Sequence, residues 1–250
     1  MSDHFSLPLL AAILATFFAA GVVKGVTGMG LPTVAMGVLG SLLSPLAAAA
    51  LLLVPSFVTN VWQLLAGPGF GMIARRLWPM MLTIVIGTLM SSTLLTGGHA
   101  GLTTVGLGIA LALYAAYTLL AEPFHVPARW EPGLSPVIGL LTGLVTGATG
   151  VFVIPAVPYI QSLDLERDDL VQALGLSFTV STIALAIGLL WHGAAPVGNL
   201  LASTLAVVPA LLGMAAGQVI RTRISPPLFR RLFLVFLLLL GLEMAIRGLF

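Results

Sequence analysis

Cysteine is absent from these 250 residues, and charged residues make up only 7% of the chain. The absence of cysteine excludes disulfides, thiolate metal sites and thiol redox chemistry. With 59% hydrophobic residues, the composition lies far outside that of water-soluble domains. The net charge of +2 comes from cations scattered through short connections, which does not suit nucleic-acid binding. The composition predicts an integral membrane protein surrounded by a lipid bilayer.

Motifs for enzymatic chemistry are also missing. The histidines His4, His99, His125 and His192 lie near the N-terminus or in connections, and no two have the His-x-x-x-His spacing of a metal site. The acidic cluster Asp164–Asp169 lacks the oxygen-ligand pattern of a calcium loop. No phosphate-binding loop is present either. We therefore expect no enzyme activity, no cofactor and no bound metal.

Long apolar runs recur along the chain. Each is about 18 to 22 residues long, enough for a helix to cross about 30 Å of hydrocarbon. Runs such as LFLVFLLLLGL lack the alternation of a membrane β-barrel, so the predicted fold is all-α. The predicted spans are Pro45–Leu65, Leu77–Leu95, Gly101–Ala121, Leu170–Leu190, Leu200–Ile220 and Leu228–Leu249.

Two glycine-rich breaks interrupt this pattern, GVVKGVTGMGLP at Gly21–Pro32 and GLVTGATGVFVIP at Gly143–Pro155. One constant offset aligns Thr27 with Thr149 and matches three glycines of each break. The apolar piece Leu31–Leu43 rises only about 20 Å as a helix, too short to cross. Each break therefore predicts a broken-helix, re-entrant hairpin.

A hairpin followed by three transmembrane helices accounts for each half of the chain. This predicts one transmembrane domain over residues 1–250, with internal repeats at 7–121 and 134–249. An odd number of crossings in each half would insert the second copy upside down. The predicted fold class is thus an all-α integral membrane protein of two inverted repeats, a plan common among secondary transporters.

The cations test this orientation. With odd crossings, eight of the ten cations fall on one side, whereas four crossings in each half would divide them six against four. Because cytoplasmic connections are enriched in Lys and Arg, the first arrangement is favoured, with both termini extracytoplasmic in a bacterial inner membrane. The eight arginines placed in the cytoplasm are Arg75, Arg76, Arg129, Arg167, Arg221, Arg223, Arg230 and Arg231.

The breaks are the first candidates for a substrate site. Helices restarting near Leu31 and near Phe152 would aim free backbone N–H groups at the breaks, and two such N-termini would form an anion site. Gly-x-x-x-Gly, as in Gly21 to Gly25 and Gly143 to Gly147, is equally a signature of close helix packing. The two roles are compatible.

Lys24 is the only lysine in the chain, and it lies inside an apolar segment. It could bind an anion, or its ammonium could reach the membrane interface along the side of the helix. Ser56, Thr59, Asn60 and Gln63 follow helical spacing and predict one polar face, which lines a pore or joins helices. The predicted substrate-binding residues are Lys24, Gly25, Thr27, Gly28, Gly30, Asn60, Gln63, Gly147, Thr149, Gly150, Ser177 and Ser181.

Glu243 also lies in a predicted span. An isolated carboxylate there would suggest proton coupling, but Arg247 follows four residues later on the same helical face. We therefore expect an ion pair near the outer end of the helix.

The two breaks, each followed by a helix rich in small residues (PLAAAALLLVPSFVTNVWQ and DDLVQALGLSFTVST), resemble the paired signature of the TauE/SafE sulfite exporter family. The resemblance covers nearly the whole chain and implies a secondary transporter for small anions, often sulfur oxyanions or organosulfonates. Lys24 and Phe152 depart from the glycine-rich form of the breaks. Members that handle thiosulfate through cysteines are excluded as models.

The resulting prediction is a permease for a small anion such as sulfite or sulfoacetate, working by alternating access. The interpretation allows a proton or sodium ion as coupling ion, and a homodimer. The alternatives are an anion channel and a non-transporting membrane scaffold. The polar face from Ser56 to Gln63 separates them, because a scaffold needs no wet interior.

Overall fold

The computed structural model describes residues 7–121, 124–194, 197–223 and 225–248, without the side chains of residues 197–200 and 226. Both chain termini, and with them residue 249 of the predicted second repeat, lie outside these ranges. Helices are α1 (Leu7–Thr27), α2 (Leu31–Leu42), α3 (Pro45–Leu65), α4 (Phe70–Thr96), α5 (Ala100–Leu120), α6 (Glu131–Thr149), α7 (Ala156–Gln161), α8 (Arg167–Trp191), α9 (Val197–Leu205), α10 (Val207–Arg221) and α11 (Pro226–Arg247), with a 3₁₀ turn at Ala128–Trp130.

Seven helices in the described part of the chain are long and apolar enough to cross a membrane. The predicted span Pro45–Leu65 coincides with α3, whose N-cap Ser44 accepts a hydrogen bond from the N–H of Ala47 at 3.1 Å. The span predicted from Leu200 to Ile220 is interrupted at Ala206, between α9 and α10. Pro209 explains the interruption, because it has no N–H to bond the carbonyl of Leu205.

The first glycine-rich break is shorter than predicted. Gly21 and Gly25 belong to α1, which continues to Thr27, and only Gly28–Gly30 separate α1 from α2. A Cβ at Gly21 would lie 2.2 Å from the carbonyl oxygen of Ala210, and one at Gly25 equally close to that of Met214. These glycines let the backbones of α1 and α10 touch, so close packing accounts for them.

The second break also differs from the prediction. The following helix does not restart near Phe152, because α7 begins at Ala156 and has only six residues. Gly143 and Gly147 lie within α6, where a Cβ would approach the carbonyl oxygens of Ile84 and Thr88 on α4 to 2.3 Å. The pairing of α6 with α4 thus uses the same device as the pairing of α1 with α10.

The remaining long helices form two further pairs, α3 with α8 and α5 with α11. The helices α3 and α8, which contain several buried polar residues, pack on one another. The pair α5 and α11 meets at Gly108 and Gly241, where a Cβ on Gly108 would lie 2.6 Å from the carbonyl oxygen of Gly241. In the first hairpin, α2 packs against both α1 and α3. This arrangement places the first break beside the centre of the bundle.

Contacts gather the arginine-bearing connections at one end of the bundle. Arg76, at the start of α4, donates to Glu131 at 2.5 Å and to the carbonyl oxygen of Leu163 at 3.0 Å, joining the starts of α4 and α6 to the end of α7. Arg230 shares a cavity with Ser162, which brings the start of α11 to the same end. We call this the arginine end. The predicted ion pair Glu243–Arg247 is confirmed at 3.9 Å and lies at the opposite end.

Candidate functional site

Lys24 belongs to α1, and its side chain reaches α3 with only 3% of the residue exposed, so its amine is enclosed by the helices. Its Nζ donates to the hydroxyl oxygen of Thr59 at 3.2 Å and to the amide oxygen of Asn60. An ammonium has three N–H donors, so one remains for another acceptor. No aspartate or glutamate of the described ranges is buried with it. When protonated, this amine has no acidic partner within the described helices, so a bound anion would compensate its charge.

The hydrogen bonds continue from Lys24 across the centre of the bundle. Asn60 donates through Nδ2 to the hydroxyl of Ser56 at 2.9 Å, and that hydroxyl lies 3.2 Å from the hydroxyl of Thr182 on α8. The amine of Lys24 donates to the side-chain oxygen of Asn60 and not to its nitrogen, which assigns the orientation of the Asn60 amide group. We call Lys24, Thr59, Asn60, Ser56 and Thr182 the lysine network. It joins the first half of the chain to the second.

Equivalent residues end α1 and α6 with the same geometry. Gly28 and Gly150 have φ angles of 78° and 76°, a region that favours glycine. The N–H of Gly28 donates to the carbonyl oxygen of Lys24 at 2.8 Å, and that of Gly150 donates to the carbonyl oxygen of Thr146 at 2.7 Å. Both helices therefore end in a left-handed glycine cap.

The threonines of the two breaks also share one role. The hydroxyl of Thr27 accepts a hydrogen bond from the N–H of Met29 at 3.3 Å, and that of Thr149 accepts one from the N–H of Val151 at 3.2 Å. In each break the threonine bonds a backbone group that has left the helix. The alignment of Thr27 with Thr149 in the sequence thus corresponds to the same local structure.

Beyond these caps the two breaks differ in size and contacts. Gly30 precedes α2 with a φ of 103°, and a Cβ on it would lie 2.8 Å from the Val23 side chain. In the second break the fully buried Phe152 packs against Phe178 with ring centroids 5.5 Å apart. Val151 and Val153 beside it are also fully buried. The start of the second break is filled with apolar side chains, whereas the first break adjoins an open space at the arginine end.

That open space is a cavity of about 610 Å³ at the arginine end, which we call the arginine chamber. Thr27 and Met29 of the first break form part of its wall. Three arginines from α10 and α11 line the same cavity, and none of them has an ion pair within the described residues. Its lining residues are Val26, Thr27, Met29, Thr118, Leu119, Arg221, Pro227, Arg230, Arg231 and Leu234.

Several predicted site residues lie outside the chamber and the lysine network. Gln63 donates to the carbonyl oxygen of Val171 at 2.9 Å and joins α3 to α8, while its own amide oxygen is buried without a partner. The hydroxyls of Ser177 and Ser181 are buried and also unpartnered in the described structure. Gly25 and Gly147 serve the helix pairs described above. Of the predicted set, Thr27 lines the chamber, while Lys24 and Asn60 belong to the lysine network.

The arginines of the chamber are functional candidates that the sequence reasoning missed. From the sequence, Arg221, Arg230 and Arg231 indicated only the orientation of the chain in the membrane, with no predicted role in binding. A usable signal was present, since these cations are concentrated in the connection before the last predicted span and in the first turn of that span. Their convergence on Thr27 and Met29 depends on the packing of α10 against α1, which the sequence alone did not indicate.

A bundle of apolar helices around a buried lysine network defines a multi-pass, helical membrane protein. The chain belongs to the sulfite exporter TauE/SafE family, whose model matches residues 13–244. This finding confirms the resemblance inferred from the two breaks, and the family is one of transporters rather than enzymes.

A curated relative extends this comparison over nearly the full length of the chain. The probable sulfite/organosulfonate exporter TauE of Cupriavidus necator (strain H16) is 27% identical over 238 residues, which cover 92% of this chain and 91% of the relative. No solved structure matches the chain.

Proposed function

We propose that this protein is a secondary transporter that exports small sulfur-containing anions, sulfite or short organosulfonates, across a bacterial inner membrane. The arginine chamber beside the first break is the observation that carries the proposal, because it combines three unpaired guanidinium groups of the described chain with the end of a broken helix. Membership of the TauE/SafE family and the name of the Cupriavidus relative support the same substrate class.

The proposed path begins at the arginine end, in the cytoplasm. Guanidinium groups at the mouth of a cavity raise the local concentration of anions and bind sulfonate oxygens through paired N–H donors. Thr27, which lines the chamber, follows Lys24 by three residues and so lies on the same face of α1. The free N–H of Lys24 would then receive the anion, and the uncompensated charge would offset that of the substrate.

Two observations support an inverted-repeat architecture for this transporter. The caps at Gly28 and Gly150 have matching geometry. Packing is also reciprocal, because α1 packs on α10 of the second half while α6 packs on α4 of the first. In the proposed topology the arginine end faces the cytoplasm and both termini face outside, as the positive-inside rule favours.

Alternating access is proposed on the difference between the two breaks. The first adjoins the chamber, while the second is packed around the fully buried Phe152 and reaches only a lateral cavity through Ile154 and Pro155. Such an arrangement corresponds to a state open to the cytoplasm and sealed on the opposite side. Export would then require movement of the second hairpin, α6 and α7, with a proton or sodium ion as the candidate coupling ion.

The test is flux through purified protein in proteoliposomes. Sulfite and sulfoacetate should move with saturable kinetics and show counterflow, which a channel would not show. The double variant with Arg221→Gln and Arg231→Gln should have a half-saturating substrate concentration about tenfold higher than wild type. This change is equivalent to the loss of about 1.4 kcal/mol of anion binding. Arg75→Gln, at the same end but outside the chamber lining, is the matched control and should behave as wild type.

Two outcomes would contradict the proposal. Absence of flux with every sulfur anion and carboxylate tried, in protein that remains folded, would favour a membrane scaffold. Equal effects of the chamber variants and Arg75→Gln would mean that the arginines act only through the overall surface charge.

A further inference from the structure

A second cavity, separate from the chamber, opens between α5 and the second hairpin. Its volume is about 410 Å³, and its depth is formed by Tyr114 and Tyr159, which are 3% and 2% exposed. The rim residues Leu113 and Phe124 are 60% and 47% exposed, so the cavity opens sideways from the bundle. We call it the tyrosine cleft. In a membrane such a lateral opening faces lipid acyl chains.

The tyrosine cleft adjoins a polar cavity of about 370 Å³ at the arginine end. Tyr117, Phe124 and Pro158 line both cavities, so the two form one continuous groove. Its polar part contains Gln161 and Arg230, and Arg230 also lines the arginine chamber, so the groove and the chamber meet at this residue. Arg230 has no ion pair or hydrogen bond to another described residue. The groove is therefore apolar and open to the side at one end, and cationic at the other.

We propose that this groove binds one anionic phospholipid, with its phosphate at Arg230 and an acyl chain in the tyrosine cleft. The charge and the apolar surface match the two parts of such a molecule in the order in which a bilayer leaflet presents them. An acyl chain would fill the space lined by Ile138 and Leu134 of α6, while Gln161 would hydrogen-bond the headgroup. This assignment rests on the geometry of the groove, which has one arginine, Arg230, in common with the chamber.

The position of the groove also connects the lipid to both breaks. Ile154 and Pro155 of the second break line the cleft directly. Tyr114 forms its inner wall, and the hydroxyl of Tyr114 lies 3.6 Å from the sulfur of Met29 in the first break. A bound acyl chain would thus contact one break and support the other through a single side chain. We therefore expect the lipid to alter transport as well as to bind.

Native mass spectrometry of the full-length protein tests the binding. Detergent-solubilised protein should retain one molecule of phosphatidylglycerol about fivefold more strongly than phosphatidylcholine, since one arginine near the membrane surface contributes about that preference. Arg230→Gln should abolish the preference. Arg223→Gln, on the same connection but absent from the linings of both cavities, should leave it unchanged.

A matched pair on α6 tests the acyl part of the groove. Ile138→Trp should reduce lipid retention because the indole fills the cleft. The neighbouring Val137 is 52% exposed and lines neither cavity, so Val137→Trp should retain lipid as wild type does. If Ile138→Trp fails to fold, Arg230→Gln still decides the proposal.

Equal retention of both lipids by wild type and Arg230→Gln would overturn the proposal and indicate ordinary surrounding lipid. Displacement of bound phosphatidylglycerol by millimolar sulfite or a short alkylsulfonate would also overturn it, because the groove would then be part of the substrate path. Lipid retention without any flux would contradict the proposed transport function only. Flux without lipid preference would contradict the lipid site only.

Discussion

At the scale of single residues, the burial of Lys24 has the clearest functional meaning. An ammonium inside a membrane protein normally pairs with a carboxylate or faces water. Lys24 instead bonds two neutral oxygens, of Thr59 and Asn60. At the matching position of the second half stands Thr146, which bonds the carbonyl oxygen of Thr142 in its own helix. The charge therefore belongs to one half of the site and not to the architecture that the halves share.

Replacing Lys24 by methionine should weaken anion binding without loss of folding. The change removes one charged hydrogen bond to the ligand, worth about 2 kcal/mol, so the Kd for sulfite should rise about 30-fold. Thermal stability should not fall, because an uncompensated buried charge is removed. Calorimetric titration and a melting curve in the same detergent check both effects. An unchanged Kd would exclude Lys24 from the substrate site.

Replacing Asn60 by aspartate should convert Lys24 into an internal ion pair. The new carboxylate has nearly the shape of the amide and would compensate the ammonium in place of a substrate anion. We expect anion binding to be lost while the melting temperature is kept or raised. Asn60→Gln keeps the amide and is the control for altered packing. Tight sulfite binding by Asn60→Asp would show that the charge of Lys24 does not hold the substrate.

At the scale of elements, glycine faces organise the helix pairs. In α1 and α6 they bring Gly25 and Gly147 into contact with the backbones of α10 and α4. These two residues were predicted to bind substrate, and the packing geometry supplies a structural role for each. The left-handed caps at Gly28 and Gly150 then turn the chain away from the helix. One segment thus contains both the packing glycines and the turn glycine.

Gly25→Ala should destabilise the protein through the contact between α1 and α10. The added methyl would lie 2.2 Å from the carbonyl oxygen of Met214, and this oxygen belongs to a helix backbone that cannot turn aside. We expect a loss of about 2 kcal/mol and a melting temperature lower by about 4–8 °C. Gly71→Ala is the control, because nothing lies within 4 Å of its added methyl. Equal melting temperatures would contradict the packing role of Gly25.

At the scale of the whole molecule, the arginine end defines the expected orientation in the membrane. The side-chain contacts of Arg76 and the cavities around Arg230 join connections that are distant in the sequence. Glu243 and Arg247 occupy the opposite end beside Ser41. A transporter with its cationic chamber facing the cytoplasm would meet an anionic substrate where the cell produces it.

Single cysteines should report this orientation without background, because the natural chain has none. Arg75→Cys and Arg221→Cys should react with a membrane-impermeant maleimide only after the membrane is opened. Ser41→Cys, at the opposite end, should react in intact cells. Reaction of Arg75→Cys and Arg221→Cys from opposite sides would contradict the inverted topology.

The sequence by itself determined the class, most of the long apolar helices and the existence of the paired breaks, because these depend on local properties. Apolar length predicts a membrane helix, and a repeated glycine pattern predicts a repeated backbone turn. Even the family could be inferred from the breaks and the helices that follow them. The limits of each break were less accessible, because a glycine can permit either a turn or a close helix contact.

Only the tertiary structure decided which glycines turn, where the charge of Lys24 lies and what surrounds the first break. Gly25 and Gly28 differ little in sequence context, yet α10 packs against the first and the chain turns at the second. The arginine chamber unites α1 with residues about 200 positions later in the chain. Such proximity arises from the packing of distant helices, which no local pattern specifies.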